Sequence, residues 1–303
     1  MRTRTLSLPL IAAVVGAFVL VIFAAPKAKV EPKSGAIRVL FLGHESEHHN
    51  SNKFYPMLAK GLGRDAIYFD YVTSVEEALG DAAYLSKFDA VLLYANHGKI
   101  TPVQWQNLKG YVEGGGGFVP VHCASWCFGN EPGFDQLVGG RFDSHKGGTF
   151  TAKVVEAGHP AMAGVEAFEA WDETYKHKNH NEKDRTVLMV REVAEKDDNI
   201  TEPEPWTWVR TQGKGRVFYT ASGHDERVWK QPAFHQLLKA GILWSGGDAR
   251  KASYEKFVKG RAPLKYEKRG DIANYENRSE PLPYQFPLSA EDSMDYTQAP
   301  VGF

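Results

Sequence analysis

The sequence predicts an α/β protein with a doubly wound, mostly parallel sheet. Short apolar runs at 37–42, 67–72, 90–94 and 118–121 are typical of strands that are buried on both faces of a parallel sheet. Helix-like stretches separate these runs. The composition, 43% hydrophobic and 24% charged among 303 residues, is that of a folded globular protein. The formal net charge of −1 gives no basic excess, so we expect no nucleic-acid partner.

Local signals support each element in turn. Between the third and fourth strands a helix is predicted at 102–113, because Thr101 and Gln104 have the spacing of a capping box and Pro102 stands in the first turn. Further strand-like segments follow at 149–155, 187–193, 206–211 and 217–220. A helix is then predicted at 232–244, and Gly246 and Gly247 end it.

The two ends of the chain differ from the middle. Arg2 and Arg4 precede an apolar run at 6–25, which predicts that residues 1–29 are a signal peptide or an N-terminal membrane anchor. Either one places the remainder outside the cytoplasm, in the periplasm or another extracytoplasmic space, and an anchor would hold it at the inner membrane. Residues 30–35 are predicted as a linker, 36–248 as the folded domain, and 249–303 as an extended tail or linker.

Polar side chains follow several predicted strands, at the edge of the sheet where α/β proteins bind ligands. The histidines at these strand ends are His44, His48, His49, His97, His122 and His224. Two further segments, 141–146 and 171–177, add His145, Asp172 and Glu173. We expect His49, His122, His145 and His224 to share one site with the two carboxylates.

Imidazole and carboxylate groups are the ligands of a catalytic divalent metal ion such as zinc. The same groups also suffice for metal-free acid–base catalysis, and their spacing does not decide between the two. The predicted metal ligands are His49, His122, His145 and His224, and the predicted catalytic groups are His122, Asp172, Glu173 and His224. Tyr175 and Trp208 lie near the polar segments, where aromatic rings either bind sugars or belong to the core.

Cys123 raises a further alternative. It stands after a predicted strand, where a nucleophile elbow would be, but Val121 and Ser125 occupy positions at which an elbow prefers glycine. Cys127 can pair with it or simply pack, and buried free cysteines are commonly inert. A catalytic cysteine is therefore the less favoured interpretation.

Several segments resemble the ThuA-like (trehalose-utilisation) family, and the match runs in order through residues 36–248. They include GGGGFVPVHCAS at 114–125, LVGGRFDSHKGG at 137–148, GHPAMAGV at 158–165, WDETYKH at 171–177, and long stretches at 205–229 and 234–248. The resemblance implies a flavodoxin-like, class I glutamine-amidotransferase-like fold. It also implies a role in carbohydrate metabolism, with trehalose-related disaccharides and oxidised 3-keto sugars as substrates.

The family's motif positions fall here on His49, His122, His145, His159, Asp172, Glu173 and His224. His159 lies in a His-Pro turn, so we expect it to be structural. His122 takes the elbow position with Cys123 beside it, and this departure from the amidotransferase triad counts against glutamine hydrolysis.

The tail carries a second resemblance. Residues 286–303 are similar to the segment that opens a β-propeller, haem-binding dehydrogenase-like module in large exported bacterial proteins. The resemblance implies either that the sequence is a fragment of such a protein or that its tail docks on a separately encoded module as a partner. The sequence contains no CxxCH motif, so this chain is not expected to carry covalent haem.

The function predicted from these observations is an exported carbohydrate-processing enzyme: a hydrolase, lyase or isomerase that acts on a disaccharide or 3-keto sugar. Arg141 and Lys146 are expected to stabilise an anionic intermediate, and with Tyr175 and Trp208 they form the predicted substrate-binding set. One alternative is a non-catalytic carbohydrate-binding or scaffolding domain of a larger exported dehydrogenase-like assembly. A cysteine-dependent amidohydrolase that uses Cys123 is the third hypothesis.

Overall fold

An eight-stranded sheet forms the centre of the protein, with the strand order β2-β1-β3-β4-β12-β11-β10-β7. Five neighbouring strands are parallel: β1 (Ile37–Leu42), β2 (Ile67–Val72), β3 (Ala90–Leu93), β4 (Gly117–Pro120) and β12 (Gly215–Thr220). Three antiparallel strands extend the sheet: β11 (Glu204–Gln212), β10 (Arg185–Arg191) and β7 (Lys153–Val154). The predicted mostly parallel α/β sheet is therefore confirmed.

The computed structural model describes residues 35–195 and 198–261. The predicted signal or anchor at 1–29, nearly all of the linker, and the tail beyond residue 261, including the propeller-like segment, lie outside these residues. Within the described ranges, no helix has the length and hydropathy needed to cross a membrane.

Helices flank the sheet. They are α1 (Ser51–Gly63), α2 (Val75–Leu79), α3 (Ala82–Leu85), α4 (Pro102–Glu113), α5 (Pro132–Val138), α6 (Glu226–Trp229), α7 (Pro232–Ser245) and α8 (Asp248–Gly260), with short 3₁₀ turns at His122–Trp126 and Pro160–Met162. The capping box of α4 is confirmed: the side chain of Thr101 accepts the backbone N–H of Gln104, and the side chain of Gln104 accepts that of Thr101. Helices α1 and α7 contact each other, whereas α2 and α3 pack against α4.

Two short antiparallel ribbons lie outside the main sheet. One pairs β5 (Arg141–Ser144) with β9 (Lys176–Lys178), and the other pairs β6 (Gly147–Thr151) with β8 (Glu169–Glu173). The single strand predicted at 149–155 is thus divided between β6 and β7. The sequence has no apolar run that would predict the other three ribbon strands, β5, β8 and β9. One of them, β8, ends at Glu173, which the sequence predicts as a catalytic residue.

The prediction of extended chain from residue 249 is wrong for residues 249–260, which form α8. Only two of its residues, Arg250 and Tyr254, are buried. The Arg250 guanidinium lies 3.0 Å from Asp89 Oδ2, and the Tyr254 hydroxyl donates to the carbonyl of Asp65 at 2.6 Å. Because the buried residues of α8 make polar contacts, the apolar pattern of the sequence does not predict this helix.

Replacing Arg250 with methionine should lower the free energy of unfolding by about 3–5 kcal/mol, because the buried Asp89 carboxylate loses its guanidinium partner. The measurement is urea denaturation followed by circular dichroism. Lys256→Met, an exposed position on the same helix, is the matched control and should change stability by less than about 0.5 kcal/mol. Equal stability of the two variants would contradict the role given to this ion pair.

Candidate metal centre

Three strand ends and one ribbon bring four potential ligands together. His49 lies in the loop after β1, His122 follows β4, His224 follows β12, and Glu173 ends β8. The potential ligand atoms of these four residues all lie within 4.8 Å of one another, and the group could hold a metal ion. Three of the four histidines expected to share a site therefore do so, with Glu173 among them.

Two of these histidines have an uncommon backbone conformation. The φ angles of His49 and His122 are +52° and +49°, in the left-handed region that costs a residue with a side chain about 1–3 kcal/mol. Neighbouring groups hold the loop of His49 in place. His44 Nε2 donates to the carbonyl of His49 at 2.9 Å, and His44 Nδ1 accepts the backbone N–H of Asn96 at 3.1 Å.

The Nδ1 atoms of His49 and His122 make hydrogen bonds that orient the lone pair on the opposite ring nitrogen, Nε2. His49 Nδ1 donates to Asn96 Oδ1 at 2.8 Å, and His122 Nδ1 donates to the carbonyl of Ala221 at 2.6 Å. A neutral imidazole with its proton on Nδ1 carries a lone pair on Nε2. Burial lowers the pKa of His122 to about 3, so its ring is neutral at pH 7 and Nε2 has no proton to donate.

Both Nε2 atoms face the same carboxylate oxygen. Glu173 Oε2 lies 3.4 Å from His49 Nε2 and 3.2 Å from His122 Nε2. Burial raises the pKa of Glu173, but interactions with His122, His224 and His49 outweigh it and hold the pKa well below its usual range, so the group is ionised. With no proton on its Nε2, His122 offers this oxygen only a lone pair, so the carboxylate is balanced by a proton on a neighbouring ring or by a bound cation.

His224 completes the cluster. Its Nδ1 atom lies 3.2 Å from Glu173 Oε1, which allows charge attraction, but this buried atom has no hydrogen-bond partner among the residues that the structure describes. Burial lowers the pKa of His224, yet Glu173, Asp172 and Asp225 together raise it above its ordinary value. The surroundings therefore favour positive charge at this position.

Asp172, predicted as a catalytic group, accepts hydrogen bonds from the backbone instead. Its carboxylate is buried and accepts the backbone N–H groups of Gly223 and His224 at 2.9 and 3.0 Å, and that of Glu173 at 2.9 Å. Burial raises its pKa to about 7. Asp172 therefore positions the loop after β12 instead of facing the cluster.

His145 lies at the edge of the cluster, where its side chain is 43% exposed. Its Nδ1 atom is 3.5 Å from Glu173 Oε1 and 3.1 Å from the carbonyl of Lys146, to which it can donate. His145 is not one of the residues whose ligand atoms all lie within 4.8 Å of one another. Glu173 stands in the cluster instead of His145, the predicted fourth ligand.

The predicted substrate-binding set is mostly structural. Trp208 is fully buried and donates from Nε1 to the carbonyl of Val138 at 2.8 Å, so its assignment as a sugar-binding ring is wrong. Arg141 is held by Asp135 at 3.0 Å and by two backbone carbonyls, and these contacts use three of its five N–H donors.

Tyr175 and Lys146 differ in exposure. The buried ring of Tyr175 stacks on His122 with 4.2 Å between ring centroids, which supports the ligand from behind. The side chain of Lys146 is exposed next to His145.

Cys123 is not placed to act as a nucleophile. It is fully buried, and burial raises the pKa of its thiol well above the ordinary value, so it is protonated at pH 7. His122 instead has the strained, elbow-like conformation at this turn.

A cleft of about 250 Å³ opens beside the cluster. His49 and His224 form part of its wall, together with Glu47, His48, Asn50, Lys53, Phe54 and Asp225. His48, which was not included in the predicted shared site, has its ring centroid 3.9 Å from that of His49. Glu47, Asn50 and Asp225 were not predicted as site residues, although all three follow β1 or β12 at the same edge of the sheet.

The fold is similar to solved structures of two ThuA-like proteins. The one from Bacteroides uniformis is 21% identical with a TM-score of 0.57, and the match covers 74% of this chain and 95% of that one. The one from Parabacteroides merdae is 19% identical with a TM-score of 0.59, and the match covers 70% and 90% of the two chains. At these identities the likeness shows the fold alone. No curated protein sequence matches this chain significantly.

The sequence motifs and the fold agree with a match to a protein family. The family model for ThuA, described as trehalose utilisation, matches residues 38–245, which include all four members of the cluster. The chain belongs to the ThuA family.

Proposed function

We propose that this protein is a metal-dependent carbohydrate-processing enzyme in which His49, His122, His224 and Glu173 hold a divalent ion such as zinc. The observation that carries the proposal is a set of distances. Three N···O separations in the cluster are 3.2, 3.2 and 3.4 Å. Two ligands of a tetrahedral ion with bonds of about 2.0–2.1 Å lie about 3.3–3.4 Å apart.

The donor set suits this role. Three imidazoles and one carboxylate are typical zinc ligands, and the bonds of His49 Nδ1 and His122 Nδ1 to oxygen acceptors are the supporting contacts that orient ligating histidines. An ion bound there would polarise a substrate oxygen as a Lewis acid. His49 and His224 also line the cleft, so the substrate would approach from that side.

The charges around the cleft favour an uncharged, hydroxyl-rich substrate. Glu47 and Asp225 can accept hydrogen bonds from sugar hydroxyls. The cations nearby are already paired, Lys53 with Glu226 and Arg227 with Asp225. Apart from the proposed ion, a sugar phosphate would therefore meet carboxylates and no unpaired lysine or arginine among the described residues that line this cleft. A neutral sugar has no charge for these carboxylates to repel.

For a 3-keto sugar, a base takes the proton from C2, next to the carbonyl, to give an enolate. The C1=C2 double bond then forms as the glycosidic C1–O bond breaks, and the leaving oxygen takes up a proton, which the same group can return. This route needs a base and a stabilised enolate instead of an oxocarbenium ion. Asp172 is occupied by backbone N–H groups. The candidates for the base are therefore His48, which lines the cleft, and His145, which is exposed beside Glu173. We also propose that the protein acts outside the cytoplasm, on the basis of the apolar run at 6–25.

Purified protein should contain about one divalent ion per chain, as expected of a single four-ligand site. His122→Ala and His224→Ala should each weaken zinc binding by more than about 100-fold, since loss of a ligand exceeds the 10–100-fold effect of changing a supporting residue. The measurement is elemental analysis combined with chelator competition. His159→Ala, which removes a helix-capping histidine outside the cluster, is the control and should bind zinc like the wild type. Full zinc affinity in both site variants would contradict the ligand assignment.

Turnover of a 3-keto disaccharide should be detectable with the metal-loaded protein and should fall at least about 100-fold in His224→Ala. Product formation can be followed by chromatography, with His159→Ala again as the control. The corresponding sugar phosphate should be a poorer substrate, because the cleft carries carboxylates. Sugar binding without any product would support the non-catalytic alternative, and unchanged turnover in His224→Ala would show that the chemistry is misassigned.

A further inference from the structure

A second buried polar network lies behind His122. Glu204 Oε1 accepts the backbone N–H of His177 at 3.0 Å and lies 2.8 Å from its Nδ1. His177 Nε2 lies 2.9 Å from the hydroxyl of Tyr219. That hydroxyl reaches the carbonyl of His122 at 3.2 Å and Ser125 Oγ at 3.0 Å. All five residues are buried, so this network is closed to substrate.

The network ends on a peptide group that needs support. His122 has its φ at +49°, and its carbonyl accepts from Ser125 Oγ at 3.0 Å as well as from Tyr219. A left-handed conformation at a residue with a side chain persists only where its surroundings hold it. Two hydroxyl donors on one carbonyl supply such support.

Strand β12 and its following loop contact His122 through alternate residues. Tyr219 donates to its carbonyl, the carbonyl of Ala221 accepts from its ring, and Gly223 leaves room for its side chain. A Cβ atom at Gly223 would lie 3.2 Å from Cβ of His122, a tight contact. The backbone, the ring and the Cβ of His122 are thus each fixed by the same segment.

Trp208 packs against two residues of this network, Tyr219 and His177. Its ring packs on that of Tyr219 with 4.2 Å between centroids, and the imidazole of His177 meets its face at 5.2 Å. These contacts give the phenol ring one position. They also explain why so large an aromatic residue lies near the site without reaching the cleft.

We infer that Tyr219 is a positioning residue whose hydroxyl, held by His177 and Glu204, fixes the peptide of His122 so that Nε2 points at the cluster. The inference rests on the proposed metal function. It assigns no contact with substrate to Tyr219. It predicts instead that removing one buried hydroxyl group changes the metal site while the ligands themselves remain.

The test is Tyr219→Phe in the full chain, which keeps the ring and removes only the hydroxyl. Zinc affinity, measured by chelator competition, should fall about 10–100-fold, the usual effect of losing a group that supports a ligand. The visible absorption spectrum of the cobalt-substituted protein should change, because it reports the geometry of the ligands. Adding Ser125→Ala should weaken binding further, since the carbonyl of His122 then loses both hydroxyl donors.

Tyr254→Phe is the matched control. It removes a buried hydroxyl that also donates to a backbone carbonyl, that of Asp65, but at the amino end of the sheet. It should lower thermal stability by an amount similar to Tyr219→Phe and leave the zinc affinity and the cobalt spectrum unchanged.

Two results would overturn the inference alone: zinc affinity in Tyr219→Phe equal to that of the wild type, or equal loss of affinity in both variants, which would indicate general destabilisation. If the wild type itself binds no divalent ion, the proposed function falls and this inference falls with it.

Discussion

The site depends on the contact between one ionised carboxylate and imidazole nitrogens whose protons are held elsewhere. Glu173 faces Nε2 of His49 and of His122, while their Nδ1 atoms donate to Asn96 and Ala221. Such an arrangement is repulsive in a buried place unless a positive charge lies within it. The separations between these atoms leave room for an ion with bonds of about 2 Å. A bound cation would supply that charge, so hydrogen-bond direction supports the metal proposal beside residue type.

The fold explains how ligands from distant parts of the chain meet. The parallel strands β1, β4 and β12 end at one edge of the sheet and carry His49, His122 and His224 there. The ribbon of β6 and β8 then places Glu173 over that edge. His49 and His122 have left-handed backbone, and buried hydrogen bonds to their carbonyls stabilise it.

Local sequence signals predicted much of this arrangement. They did not predict the features that depend on how strands pair or on which side chains meet in the core. Strand β1, helix α4 and the convergence of histidines follow from apolar runs, a capping box and the polarity of strand ends. The exchange of His145 for Glu173 does not, because it depends on how two short polar ribbons pair. Trp208 lies near polar segments in sequence, but periodicity does not say that its ring faces Tyr219 in the core. The anchors of α8, Arg250 and Tyr254, are single polar contacts that no apolar pattern records.

Anomalous X-ray diffraction from crystals grown with zinc would locate the ion and its ligands together. We expect one peak with bonds of about 2.0–2.2 Å to His49 Nε2, His122 Nε2, His224 Nδ1 and a Glu173 oxygen. Zinc bound only elsewhere on the protein, with Glu173 still in direct contact with the imidazoles, would contradict the proposed metal site.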